Sequence, residues 1–393
     1  MRSTLRKSGY GILDFDIVRG DGCYIFDERG KKYLDFESGV WCSALGHNNE
    51  KINNAIKNQL DRISHTGYVF RNDFANEASE TLLDILGMQG GKCGFLSSGT
   101  EAVELSVQIG RAVRKEKLTL VLSDQYFGSY GSARKKDPEE FYTFDYTKCM
   151  LCNKSADCDA SCPEFEKIPF EAIETFLFEP GGKGGLALFP PQGLVKQISR
   201  KISERNGYVI INEVTTGLGR TGKWFGYQHY ELCPDIVAVG KILGNGYPVS
   251  AAALTSKVSE ELDKVDFHYA QSHSNDPLGC TVAKEVLSVL KKENLIESSH
   301  ETGAFFLNNL KKLSEEIPEI KEVRGRGMTI CIEFCDSFSE NHLNGLYRRM
   351  VERGYIVGII KRFNSIRFMP PFILTEAEIM GFIKNFREIL CSL

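Results

Sequence analysis

The stretch Tyr208–Ala251, YVIINEVTTGLGRTGKWFGYQHYELCPDIVAVGKILGNGYPVSA, decides the reading of this chain. Its first apolar run, Tyr208–Ile211, is continuous rather than alternating, the pattern of a strand covered on both faces. The run ends in Asn212–Glu213 and a glycine-rich turn; a second apolar run, Ile236–Val239, then delivers Lys241 into a loop of glycines. A lysine directly after a buried strand sits at the carboxyl edge of an open α/β sheet, where such sheets place ligands. Desolvation there lowers the pKa of the amine and makes it a nucleophile toward carbonyl carbon. Taken alone, a solvated loop lysine would read the same way, so its neighbours must decide.

Working outward, Leu118–Leu122 repeats the continuous apolar pattern, and Ala102, Leu105, Ile109 and Ala112 have the spacing of an amphipathic helix. Strands alternating with helices imply an α/β domain with a mostly parallel sheet. The helix opens on Ser97-Ser98-Gly99-Thr100-Glu101-Ala102, where Ser98 and Glu101 have capping-box spacing. Free backbone N–H groups and the helix dipole at such a start attract an anion, although a plain helix cap would look identical. The last hundred residues change character. Helical patterns (Val282–Leu290, Ala304–Leu313) precede a strand-like Met328–Phe334, and a closing helix (Thr375–Leu390) follows Pro370–Pro371. Near the start, Gly22–Asp27 and Tyr33–Phe36 read as short strands.

With 393 residues, 42% hydrophobic and 25% charged, the composition is that of a globular protein with about two or three domain-sized cores. A net charge of −4 offers no case for nucleic acid or a membrane surface. No apolar stretch approaches the roughly 20 residues of a membrane helix. The basic start Met1–Lys7 lacks the apolar core of a signal peptide, so a cytoplasmic location is expected. Gly217-Leu-Gly-Arg-Thr-Gly222 satisfies the dinucleotide pattern G-x-G-x-x-G, but no clear helix follows to face a pyrophosphate, which argues against NAD.

Twelve cysteines are many for a reducing compartment. Eight are scattered and read as small buried hydrophobes. The other four, Cys149, Cys152, Cys158 and Cys162, form C-x2-C-x5-C-x3-C-Pro. Two close pairs of thiolates suit a structural tetrahedral zinc. The C-x3-C-Pro tail leaves an iron–sulfur cluster open, and so is no metal at all.

Taken together, the lysine segment and the Ser-Gly-Thr-Glu-Ala segment make the chain resemble the class III, ornithine/4-aminobutyrate-type aminotransferases. The resemblance implies a fold-type I transferase: a seven-stranded, mostly parallel sheet in a large domain, with a small α+β domain built from both termini. The expected division is 1–48 and 291–393 for the small domain and 49–290 for the large one, with a Cys-rich insertion at 145–166. It implies pyridoxal 5'-phosphate carried on Lys241 as a Schiff base, with Ser98, Gly99 and Thr100 cradling the phosphate. In Gln125–Gly128, Tyr126 takes the place of the aromatic on the cofactor face, and Phe127 replaces the usual histidine. Glu179–Pro180 matches the family's Glu-Pro, and Val214 and Thr215 fall beside the ring. The second glutamate that often follows is replaced by Gly181-Gly182-Lys183-Gly184-Gly185, which speaks against ornithine and 4-aminobutyrate as substrates.

In the loop Ser272–Pro277, Ser272 keeps the hydroxyl that reaches the phosphate of a neighbouring subunit in the family, which implies a homodimer. Arg367, in Ile366-Arg-Phe-Met-Pro-Pro371, aligns with the arginine that grips the substrate α-carboxylate. A guanidinium fork matches a planar carboxylate better than an ammonium does. Trp41 and Tyr68 are expected at the other end of the pocket. The substrates implied are a small amino donor and a keto or aldehyde acceptor.

The chain departs from the family at one central place. Asn212 stands where an aspartate protonates the cofactor ring, and Thr215 stands in place of a glutamine. A neutral amide can donate an N–H to an unprotonated ring nitrogen, which holds the cofactor while weakening it as an electron sink. Three readings follow: a working aminotransferase with a retuned ring, a racemase, epimerase or elimination enzyme of the same fold, or a weakly active cofactor-binding relative.

Overall fold

The computed structural model describes residues 13–114, 118–152, 158–181 and 184–393. The N-terminal part supplies three short strands, β1 (Ile17–Asp21), β2 (Tyr24–Asp27) and β3 (Lys32–Asp35). Seven strands follow: β4 (Lys92–Leu96), β5 (Leu118–Leu122), β6 (Phe141–Phe144), β7 (Ile173–Phe178), β8 (Tyr208–Asn212), β9 (Ile236–Val239) and β10 (Ser250–Leu254). They form one sheet in the order β4-β10-β9-β8-β7-β5-β6. Only β10 runs antiparallel to its neighbours, and the remaining pairs are parallel. The C-terminal part contributes β11 (Ile320–Arg326), β12 (Thr329–Phe334), β13 (Tyr355–Ile356), β14 (Gly358–Ile360) and β15 (Ser365–Phe368).

The continuous apolar runs are explained by their burial. Every residue of β8, β9 and β10 is buried, because helices cover both faces of the sheet. Each fully buried Ile or Val there contributes about 1.5–3 kcal/mol. The helix after Ser98 spans Gly99–Arg114 and buries Ala102, Leu105 and Ile109 against the sheet, while Ala112, expected on the same stripe, is only half-buried. The strand runs one residue past the apolar run and stops at Asn212. Beyond it, the buried Glu213 carboxylate accepts N–H bonds from Gly226 (2.9 Å) and Tyr227 (2.7 Å) and the Thr216 hydroxyl (2.7 Å), folding the glycine-rich turn back on itself. No α-helix begins at Gly222; the next element is a 3₁₀ turn, Gly226–Tyr230, so the dinucleotide pattern has no dipole to offer.

The two ends of the chain meet. β13 pairs in parallel with β3, completing a four-stranded sheet β1-β2-β3-β13. The Phe36 N–H donates to the Ile356 carbonyl (2.8 Å), and the Phe36 carbonyl accepts from Met369 N–H (2.7 Å). Phe36 also packs with Phe306, Phe368 and Phe382, with ring centroids 4.5 to 5.7 Å away. This aromatic knot fixes the residues that follow Phe36 against those that precede Phe368. Among the described residues, no helix is long and apolar enough to cross a membrane.

Candidate active site

A cavity of about 310 Å³ opens at the carboxyl edge of the large sheet, and Lys241 lines it. Ser98, Gly99, Thr100, Tyr126, Asn212, Val214 and Thr215 line it as well, so eight of the ten residues expected around the cofactor converge. Lys241 follows β9 directly, in a 3₁₀ turn Lys241–Gly244, with φ of +38°. A non-glycine residue in that region costs of the order of 1–3 kcal/mol and aims the side chain off the end of the strand. Burial is the main cause that lowers the Lys241 pKa from the ordinary lysine value, with Cys42 and Glu179 pulling it back up. The amine is therefore more easily made neutral and nucleophilic than a solvated one.

The opening turn of the Gly99–Arg114 helix forms one wall. The Glu101 carboxylate accepts from the N–H groups of Ser97 (3.0 Å) and Ser98 (2.8 Å) and from the Ser98 hydroxyl (3.0 Å). The next N–H groups, of Gly99 and Thr100, border the cavity. Gly99 has to be glycine: a Cβ there would lie 2.5 Å from Val214 Cγ1. That close approach brings the helix start against Val214. The Thr100 hydroxyl accepts from Ser129 N–H (3.1 Å) and ties the opposite loop to the same wall.

Asn212 is buried, with its amide oriented by both of its ends. Nδ2 donates to the Tyr126 carbonyl (2.9 Å), and Oδ1 accepts from Val214 N–H (3.1 Å). Because one partner can only accept and the other only donate, the amide cannot be flipped. Glu179 does not line the cavity. It is buried behind it, accepting from Tyr126 N–H (2.9 Å) and from the Thr215 hydroxyl (2.9 Å). Burial raises the Glu179 pKa, while those two hydrogen bonds and the Lys241 charge oppose the rise. Its role is thus to position Tyr126 and Thr215.

The other expected residues fall elsewhere. Ser272 is exposed and outside the cavity lining. Tyr68 is also exposed and lies in an apolar run, with Val69 and Phe70 exposed beside it. Trp41 is buried, with the Lys241 ammonium 4.9 Å from its ring centroid and the Arg367 guanidinium 4.6 Å from it. Arg367 is not an open fork. Its Nε and Nη2 donate to the two carboxylate oxygens of Glu37, both at 3.0 Å, and Nη1 donates to the Gly184 carbonyl (2.8 Å).

Ser97 and Phe127 line the cavity too, and so do Cys42, Tyr247 and Pro248, which were not singled out in the sequence. The Tyr247–Pro248 pair lies just past Lys241 and was open to suspicion on that ground; Cys42 carried no local signal. Cys149, Cys152, Cys158 and Cys162 together line a separate cavity of about 100 Å³ with Lys148, Glu164, Pro191 and Leu194. The stretch between the two cysteine pairs, 153–157, lies outside the described residues.

The anion-ready helix start, the exposed Tyr126 ring, Val214 across from Gly99 and a mostly buried amine fit a flat phosphorylated aldehyde. Comparison with known proteins agrees. The family described as "Aminotransferase class-III" matches residues 6–390. The acetylornithine aminotransferase of Archaeoglobus fulgidus is 28% identical over 365 residues, covering 92% of this chain and 92% of that protein. The leucine/methionine racemase of Thermococcus litoralis is 28% identical over 388 residues, covering 91% of this chain and 86% of its own length. The crystal structure of acetylornithine aminotransferase from Elizabethkingia anophelis superposes with a TM-score of 0.83 at 26% identity, covering 98% of this chain and 96% of that one. The chain belongs to the class-III aminotransferases, fold-type I enzymes that move amino groups with pyridoxal phosphate.

Proposed function

We propose that this enzyme transfers an amino group from an amino acid or amine to a keto acid or aldehyde through Lys241, with Asn212 in place of the usual ring-facing acid. The observation that carries the reading is the convergence of Lys241, the Ser98–Thr100 helix start, Tyr126 and Val214 on one cavity. When bound, pyridoxal phosphate withdraws electrons from the amino-bearing carbon. Lys241 is the residue that would hold the cofactor's aldehyde, and its freed amine would move the proton at the substrate's amino-bearing carbon. Gly99 and Thr100 would hold the phosphate with their N–H groups. Tyr126 and Val214 would flank the ring and exclude water, and Glu179 keeps Tyr126 and Thr215 in register. Asn212 would offer its remaining N–H to the ring nitrogen.

Purified protein is expected to be yellow, and amino donors should shift its absorption while releasing a keto acid or aldehyde. A donor that exchanges its Cα hydrogen without releasing a carbonyl product would point to racemisation instead. Lys241→Ala should abolish both colour and turnover; a variant that keeps both sinks the assignment. Asn212→Asp is expected to speed the step about 100-fold by restoring a charged partner for the ring. It would also lose the Tyr126 carbonyl contact, at about 1 kcal/mol.

Two finer parts of the reading have their own supports. A homodimer, with Ser272 reaching the partner's phosphate site, is supported by the exposed Tyr68-Val69-Phe70 run beside the Ser272 loop: His65 and His273 both meet the Asp276 carboxylate there. Sedimentation at micromolar concentration should give twice the chain mass; a monomer would remove this part. A structural zinc is supported by four cysteines sharing one small cavity. Four thiolates close the coordination sphere, so the metal would hold the 145–166 insertion together rather than act on substrate. Metal analysis should find one zinc per chain, reduced in Cys152→Ser. Iron in its place would favour a cluster, and no metal would remove the site.

A further inference from the structure

Arg367 is the arginine expected to receive a substrate carboxylate, yet a carboxylate from the chain itself already fills its fork. Glu37 and Arg367 meet through two parallel contacts of 3.0 Å, with side chains only 15% and 5% exposed. Such fork-on-fork geometry is the strong form of this pair. The surrounding backbone is shaped for it. Gly358 lies directly opposite Arg367 in the β14–β15 ladder, and a Cβ at Gly358 would lie 2.5 Å from Arg367 Nε and press still closer on Glu37 Oε1. The fork also lies one indole away from the reacting amine, because Trp41 contacts both Arg367 and Lys241.

We propose that Glu37 is a specificity-determining residue that closes Arg367 to carboxylates, so that this enzyme favours amino donors whose reacting carbon bears no carboxylate, that is, primary amines. The inference rests on the amino-transfer reading above. A carboxylated substrate must push a buried anion off its guanidinium, and that exchange of one carboxylate for another returns nothing for the displaced charge. An amine has no such requirement; its substituent fits beside a pair that is already neutral overall. A purely structural ion pair would account for the same contacts, but it predicts a loss of stability on substitution with no change in substrate preference.

The test uses yellow holoenzyme and matched donor pairs: alanine against ethylamine, and phenylalanine against 2-phenylethylamine. The wild-type enzyme is expected to show higher kcat/KM for the amine of each pair. Glu37→Gln keeps the shape and removes the charge; it is expected to raise the amino acid's kcat/KM relative to the amine's by about tenfold or more, through KM. An unchanged ratio in Glu37→Gln overturns the proposal. If that variant does not fold, the wild-type ratio decides: a preference for the amino acids overturns it, and a preference for the amines supports it. If neither member of any pair alters the holoenzyme spectrum, the amino-transfer reading falls and this inference falls with it.

Discussion

Two buried arginines reach the same N-terminal segment and meet it in different ways. Arg220 is fully buried. Its Nη1 donates to the Pro370 carbonyl (2.6 Å) and, more weakly, to that of Met328 (3.4 Å), while Nη2 faces the Trp41 carbonyl (3.3 Å) and the Ser38 hydroxyl (3.5 Å). Carbonyl dipoles offset only part of its desolvation, and burial presses its pKa down to about 9, which still leaves it charged at neutral pH. Arg367 is nearly as buried but faces a formal anion, Glu37. The first arrangement ties four segments together with acceptors that cannot leave, since they are mostly backbone. The second holds a side-chain carboxylate that a competing carboxylate could in principle replace. A guanidinium satisfied by backbone is a fastening, whereas one satisfied by a single anion is a position that can select.

This contrast can be broken in four ways, from the largest effect to the smallest. Arg220→Met strips the donor from three carbonyls at once and is expected to cost about 4 kcal/mol in denaturant unfolding. An unchanged midpoint would show that the fastening contributes nothing. Arg367→Met leaves Glu37 buried without its partner and should cost about 3 kcal/mol, of which adding Glu37→Leu should return about 2 kcal/mol. Additive losses in that double variant would deny the coupling. No single second substitution can rescue Arg220→Met in the same manner, because its partners are peptide groups.

Gly358→Ala forces a methyl group into the Glu37–Arg367 contact and should cost about 1–2 kcal/mol by unfolding. A fully stable variant would show that the pair has room to move. Trp41→Phe keeps the apolar plate but weakens its attraction for the two cations, for a loss of about 0.5–1 kcal/mol. Melting of this variant should differ from wild type by only a few degrees; a collapse would mean that Trp41 acts through packing instead.

Much of the lysine end was legible in the sequence because its signals are local. Tyr208–Ile211 and Ile236–Val239 are uninterrupted apolar runs, and each leads into a polar residue that lines the cavity, Asn212 and Lys241 respectively. Ser98 and Glu101 announced the helix start by spacing alone, and the cap forms as expected. The turn after Asn212 gave no such signal, since Val214 is apolar yet lines the cavity rather than extending the strand. The arginine end was not legible. Glu37 and Arg367 are separated by 330 residues, and a glutamate between Phe36 and Ser38 fits no periodic pattern. Arg220, inside a glycine-rich turn, is fully buried, and no local pattern there marks it. Long-range charge pairing leaves no mark on the local alternation that sequence reading depends on.

The pairing of β3 with β13, and of Phe36 with Met369, has a consequence for synthesis. Translation produces Glu37 before Lys241 and Lys241 before Arg367. A ribosome-bound chain can therefore assemble the lysine-bearing sheet while Glu37 waits without a counter-charge and Arg220 lacks the carbonyls of Met328 and Pro370. A product cut short before Arg367 would keep the cofactor's lysine yet lack the counter-charge of Glu37 and the Pro370 carbonyl that Arg220 uses. Such a fragment is expected to be cut by added protease faster than the whole chain.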